Sequence, residues 1–101
     1  MKVLVADRLE PDGLRLLKKE KGIQADIKIG LSPQALKETI GYYDAVIVRS
    51  GSRLTKDIIE AGKNLRVIGR AGVGVDNVDL EAATMRGFIV MNTPEGNTIA
   101  T

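Results

Sequence analysis

The stretch LRVIGRAGVGVDNVDLEAATMRGFIVMN, residues 65–92, runs from a β-branched apolar segment through a glycine-rich loop and a helix-like segment into a second apolar segment. Two strands separated by a helix-length crossover pair in parallel, because a short turn can only return a chain antiparallel. The reading is strand at LRVIG (65–69), a helix over LEAATMR capped by Asp79 and stopped at Gly87, and strand at FIVMN (88–92). Outward from this unit the same alternation repeats. KVLVA (2–6), ADIKI (25–29) and AVIVR (45–49) supply three more strands, several of them continuously apolar as parallel strands covered on both faces are. PDGLRLLKKE between the first two is amphipathic, with Leu14, Leu16 and Leu17 on one side, Arg15, Lys18 and Lys19 on the other, Pro11 at a first helical position and Gly22 as the stop. Ser32 and Pro33 open a second helix that carries Leu36 and Ile40 one turn apart and ends at Gly41. Thr55 caps a third, in which Ile58, Ile59 and Ala61 face inward before Gly62. Five strands and four helices in strict alternation specify an α/β domain with an open parallel sheet.

Composition narrows the function classes. At 101 residues the chain holds one hydrophobic core. No apolar run approaches the roughly 18 residues that a membrane helix needs, and the opening MKVLVADRLE reads as a strand rather than a signal peptide, so no membrane partner is expected and the default compartment is the cytoplasm. Cysteine is absent, which removes disulfides, thiolate metal sites and thiol nucleophiles, and no metal site is expected. Histidine is absent as well, so this segment supplies no imidazole for acid and base work. The net charge of +2 comes from interleaved acids and bases with 3% aromatic residues, which argues against nucleic acid.

The glycine-rich loop invites comparison with the dinucleotide fingerprint G-x-G-x-x-G. Gly72 and Gly74 match its first two places, but Asn77 stands in the third, the helix opens only near Leu80, and no acid ends the next strand. What remains is a run of small residues after a strand, whose amides at Val73 and Gly74 suit a carboxylate or a single phosphate. The glycines equally serve a tight turn with positive φ. Neighbouring strand ends favour the anion: Arg49 and Ser50 finish the third strand, Arg53 follows three positions on, and Arg70 follows the fourth. Carboxyl ends of parallel strands share one rim, and an arginine fork matches carboxylate and phosphate oxygens.

VRSGSRLT, GRAGVGVDNVDLEAATMRG and MNTPEGNTIAT, in this order and spacing, resemble the amino-terminal part of the NAD-dependent D-2-hydroxyacid dehydrogenases, on the branch that oxidises phosphoglycerate in serine biosynthesis. The resemblance spans essentially the whole chain. It implies a flavodoxin-like substrate-binding domain over residues 1–96, a helix crossing to a Rossmann domain beginning at 97–101, and a coenzyme domain beyond Thr101. It implies that Arg49 and Ser50 bind the phosphorylated hydroxyacid, that amides around Gly72, Val73 and Gly74 receive its carboxylate, that Val73 also touches the nicotinamide end of NAD, and that Asn97 is a further contact. Arg53 and Arg70 join this set or pair with nearby acids; Asp76 and Asp79 read as loop and cap residues. The implied cofactor is NAD, held mainly by the absent domain, and the implied state of the full-length protein is a homo-oligomer. The acid/base histidine, its carboxylate and the carbonyl-polarising arginine would all follow Thr101, so no catalytic residue is expected in this chain and the isolated segment is expected to be inactive. A glyoxylate or hydroxypyruvate reductase of the same family is an alternative.

Two non-catalytic readings compete. A phosphoacceptor receiver module needs clustered carboxylates after the first strand and an aspartate ending the third; here only Asp7 is near the first place and Arg49 occupies the second. A flavin-binding module needs a hydroxyl-rich loop after the first strand, which DRLEPDG lacks. A small-molecule binding module without catalysis stays open.

Overall fold

The computed structural model describes residues 1–9, 11–49, 51–71 and 78–93. Its elements alternate as β1 (Lys2–Val5), α1 (Pro11–Lys19), β2 (Gln24–Ile27), α2 (Pro33–Ile40), β3 (Ala45–Val48), α3 (Lys56–Ala61), β4 (Val67–Ala71), α4 (Leu80–Met85) and β5 (Ile89–Thr93). All four strand pairings are parallel, and the sheet order is β2-β1-β3-β4-β5. This is the expected open, flavodoxin-like five-stranded sheet with helices on both faces.

The layers are unequal. Leu4, Val46, Val48 and Ile68 point to one face, where Leu36 and Ile40 of α2, Ile58 and Ile59 of α3, and Ala82 and Ala83 of α4 cover them. Val3, Val5 and Ala45 point to the other, where Leu14 and Leu17 of α1 pack. Among the described residues α1 alone covers that second face, and Ile89 and Met91 of β5 stay 61% and 51% exposed. The alternation of facing along each strand is the direct consequence of the two-residue side-chain period.

Local signals produce most element boundaries. The Ser32 side chain accepts from the Ala35 amide and the Asp79 side chain from the Ala82 amide, each satisfying a donor that has no partner inside its helix. Gly22 and Gly87 take positive φ of 84° and 75° where the chain leaves α1 and α4, a conformation that costs side-chain-bearing residues.

Several sequence readings are corrected. Leu16 is 44% exposed, unlike the half-buried Leu14 and Leu17; at about 100° per residue it lies some 200° from Leu14, off the stripe that meets the sheet. Ala61, expected to face inward, does pack against the larger core but is only half-buried. Thr55 stands at the N-cap of α3 without a side-chain capping bond; its hydroxyl donates to the Asp57 carboxylate. β2 begins one residue early and stops at Ile27, since its partner β1 ends at Val5. β4 begins at Val67 and continues through Arg70 to Ala71, because β5 extends alongside it to Thr93. Arg70 is therefore inside a strand rather than after one.

Candidate functional site

In a sheet of order 2-1-3-4-5 the chain reverses its direction of winding between β1 and β3. The loops leaving these two strands depart to opposite faces and open a crevice between them, the usual ligand position of such sheets. Asp7 and Arg8 leave β1 at this point, and Arg49, Gly51 and Ser52 leave β3.

Asp7 is 8% exposed and faces the β3 loop. Its Oδ2 accepts from the Arg49 amide at 2.6 Å and the Ser52 amide at 2.9 Å, and its Oδ1 accepts from the Ser52 hydroxyl at 2.8 Å. A buried carboxylate is costly unless its lone pairs are filled, and each bond to a charged group contributes about 1.5–3 kcal/mol. Three donors on two oxygens meet that requirement. Arg49 turns its guanidinium back across the crevice, where Nη1 donates to the Arg8 carbonyl at 3.0 Å. The β1 and β3 loops are thus joined in both directions, by the Asp7 side chain onto the β3 backbone and by the Arg49 side chain onto the β1 backbone. Gly51 permits the approach: a Cβ there would lie 2.8 Å from Asp7 Oδ1.

The other candidate cations are distributed along the same rim. Register pairs Arg70 with Val48 on one side and Asn92 on the other, so Arg49 follows directly after the β3 residue that Arg70 faces. Arg53 is exposed and lines a groove of about 230 Å³ with Leu31, Pro33, Leu36 and Ile58, on the α2 and α3 side. Ser50, Gly72, Val73, Gly74, Asp76 and Asn97 lie outside the described residues. Neither Asp7, weighed above only as a receiver-type carboxylate, nor Ser52 was among the candidate site residues read from the sequence. The available signal was an aspartate immediately after a buried strand, VLVAD, which must find donors, and the serine and glycine of SGS, which can supply them.

The described residues do not fit the pyrophosphate of a dinucleotide. Helix α4 opens only at Leu80, and the Ala82 amide in its first turn is taken by the Asp79 carboxylate at 3.0 Å. That carboxylate places negative charge where a phosphate would need positive field.

A family model described as D-isomer specific 2-hydroxyacid dehydrogenase, catalytic domain, matches residues 3–101. D-3-phosphoglycerate dehydrogenase of Synechocystis sp. is 50% identical over 99 residues, covering 98% of this chain and 18% of that protein. The enzyme of the same name from Archaeoglobus fulgidus is 46% identical over 101 residues, covering the whole of this chain and 19% of that protein. Among solved structures, NAD+-bound 3-phosphoglycerate dehydrogenase of Entamoeba histolytica superposes with a TM-score of 0.82 at 33% identity, covering 93% of this chain and 33% of that one. The chain therefore spans less than a fifth of the length of the two curated relatives. With its sheet order and the matched residues in agreement, the chain belongs to the D-isomer specific 2-hydroxyacid dehydrogenase family.

Proposed function

We propose that this chain is the substrate-binding part of an NAD-dependent D-3-phosphoglycerate dehydrogenase, in which residues 1–96 form the first segment of the substrate domain and residues 97–101 begin the crossing to a coenzyme domain. The observation that carries the reading is Arg49 at the carboxyl end of β3, beside the β1/β3 switch point, on a chain 46–50% identical to relatives of that name. Arg49 and Ser50 bind the phosphorylated acid, the amides around Gly72, Val73 and Gly74 take its carboxylate, and Asn97 adds a contact. Arg53 and Arg70 add positive potential along the rim, which raises the local concentration of an anionic substrate. NAD is held by the remainder of the protein, with Val73 near its nicotinamide end, and when bound it accepts the hydride from C2 of the substrate. This segment binds and orients; the proton leaves to a base outside it. The full-length protein is a cytoplasmic homo-oligomer of serine biosynthesis.

The test is NADH formation by the full-length protein with 3-phosphoglycerate, D-glycerate and D-lactate compared. Expected is a preference for the phosphorylated acid, and Arg49→Ala is expected to raise KM for 3-phosphoglycerate by about tenfold or more, the size of one lost charge-assisted contact. Preference for an unphosphorylated acid, or an unchanged KM in Arg49→Ala, refutes the assignment. The 101-residue chain alone is expected to show no turnover.

A further inference from the structure

At a switch-point crevice the ligand is ordinarily an external one. Here part of that place is filled from within. The amides of Arg49 and Ser52 and the Ser52 hydroxyl converge on one position, and the group in it is the Asp7 carboxylate. Asp7 sits 42 and 45 residues before the two amides that it receives, so nothing local to the loop fixes it there.

We propose that Asp7 is a positioning residue for substrate: an internal anion that folds the β3 loop around itself and so sets the backbone from which Arg49 reaches the rim. The proposal rests on the reading that the β3 loop binds substrate. Two independent features of the geometry support it. The carboxylate accepts the amide of Arg49 itself, so the backbone of the substrate-binding arginine is bonded directly to Asp7. Gly51 leaves no room for a side chain against Asp7 Oδ1, so the loop closes on the carboxylate at van der Waals range as well as through hydrogen bonds. Asp7 touches neither the reacting atoms nor the coenzyme in this arrangement; its effect passes through Arg49 and Ser52.

The donors that hold Asp7 belong to the loop, so removal of the carboxylate leaves a set of anion donors that a small carboxylate from solution can enter. This makes the role separable from general stability. The experiment uses the full-length enzyme with Asp7→Ala, Asp7→Asn, Gly51→Ala and Arg49→Ala, and measures KM for 3-phosphoglycerate, KM for NAD+ and kcat, each with and without formate. Asp7→Ala is expected to raise KM for 3-phosphoglycerate about tenfold, with kcat and KM for NAD+ within about threefold, the signature of lost ground-state binding. Formate is expected to lower that raised KM, whereas in the wild-type enzyme it competes with substrate or has no effect, so the two responses have opposite or distinct signs. Asp7→Asn is expected to stay within about threefold of wild type, because one oxygen retains both amides and the Ser52 hydroxyl can accept from the new amide. If Asp7→Ala yields no folded enzyme, Gly51→Ala carries the same test by displacing the carboxylate, with the same rise in KM expected.

The outcomes separate the two readings. A raised KM in Arg49→Ala with an unchanged KM in Asp7→Ala, or in Gly51→Ala where that variant stands in for it, overturns the role of Asp7 and leaves the loop as a substrate site. An unchanged KM in Arg49→Ala overturns both. A fall in kcat with no change in KM for 3-phosphoglycerate, or a raised KM in Asp7→Ala that formate does not lower, also overturns the positioning role.

Discussion

The Tyr43 hydroxyl donates to the Asp26 carboxylate at 2.7 Å, joining the segment between α2 and β3 to the edge strand β2. The ring is 3% exposed and packs in the larger core, with Lys2 Nζ 5.7 Å from its centroid. Burial first, and then the bond to Asp26 and its negative charge, push the Tyr43 phenol from 10.0 up to about 12. The folded form thus holds this proton more tightly than the unfolded chain. Its contribution to stability is complete below pH 10.0 and is lost as pH rises towards about 12. Urea midpoints measured from pH 9 upward are expected to fall through this window. Tyr43→Phe, at a cost of about 1 kcal/mol at pH 7, is expected to remove that part of the pH dependence. A midpoint equally pH-dependent in the variant would locate the effect elsewhere.

Leu16 and Ile59 have similar side-chain volumes but different surroundings. Ile59 is fully buried between α3 and the sheet, whereas Leu16 is 44% exposed. Ile59→Ala removes buried methyl groups and leaves a cavity, a loss of about 2–5 kcal/mol, while Leu16→Ala is expected within about 0.5 kcal/mol of wild type. Chemical denaturation of both variants checks the orientation of α1. A large loss in Leu16→Ala would contradict it.

Two of the helix N-caps, Asp79 and Thr55, provide a matched pair. Asp79→Ala removes a bond to the Ala82 amide and is expected to cost about 1 kcal/mol. Thr55→Ala removes no capping bond, only the hydroxyl that donates to Asp57, an exposed carboxylate. That bond is the main cause holding the Asp57 carboxyl below its ordinary 3.8, so NMR titration of Thr55→Ala is expected to move the Asp57 midpoint upward toward 3.8. Because the folded value is the lower one, whatever stability the bond contributes is present above pH 3.8 and is lost as acid protonates the group.

Gly62 marks a steric limit. A Cβ at this position would sit 2.9 Å from Leu65 Cβ and 3.3 Å from the Ile59 carbonyl, and Leu65 is itself 3% exposed. Gly62→Ala is expected to destabilise the chain by about 1–3 kcal/mol, the range for an overpacked core. The double variant with Leu65→Gly is expected to lose less than the sum of the two single changes, because the nearest clashing atom, Leu65 Cβ, is then removed. Strict additivity in thermal or urea unfolding would rule out the clash as the cause.

Near-neighbour chemistry along the chain determined the class of this fold. Apolar runs separated by amphipathic stretches require parallel strands with crossovers, Ser32 and Asp79 satisfy amides three residues away, and Gly22 and Gly87 take the backbone angles that end α1 and α4. Each of these is decided within a turn or two, so the residues alone reveal it. The resemblance carried by residues 48–55, 69–87 and 91–101 added the family and the expectation that Arg49 binds substrate. The tertiary structure decided what depends on distant partners. Strand length follows the neighbouring strand, which is why Arg70 lies within β4 and Ile29 beyond β2. The contact between the two loops at the switch point exists only because the order 2-1-3-4-5 places the end of β1 against the end of β3. Asp7 and Ser52, 45 residues apart, meet there, and a buried carboxylate can be retained because donors from another strand's loop come to it.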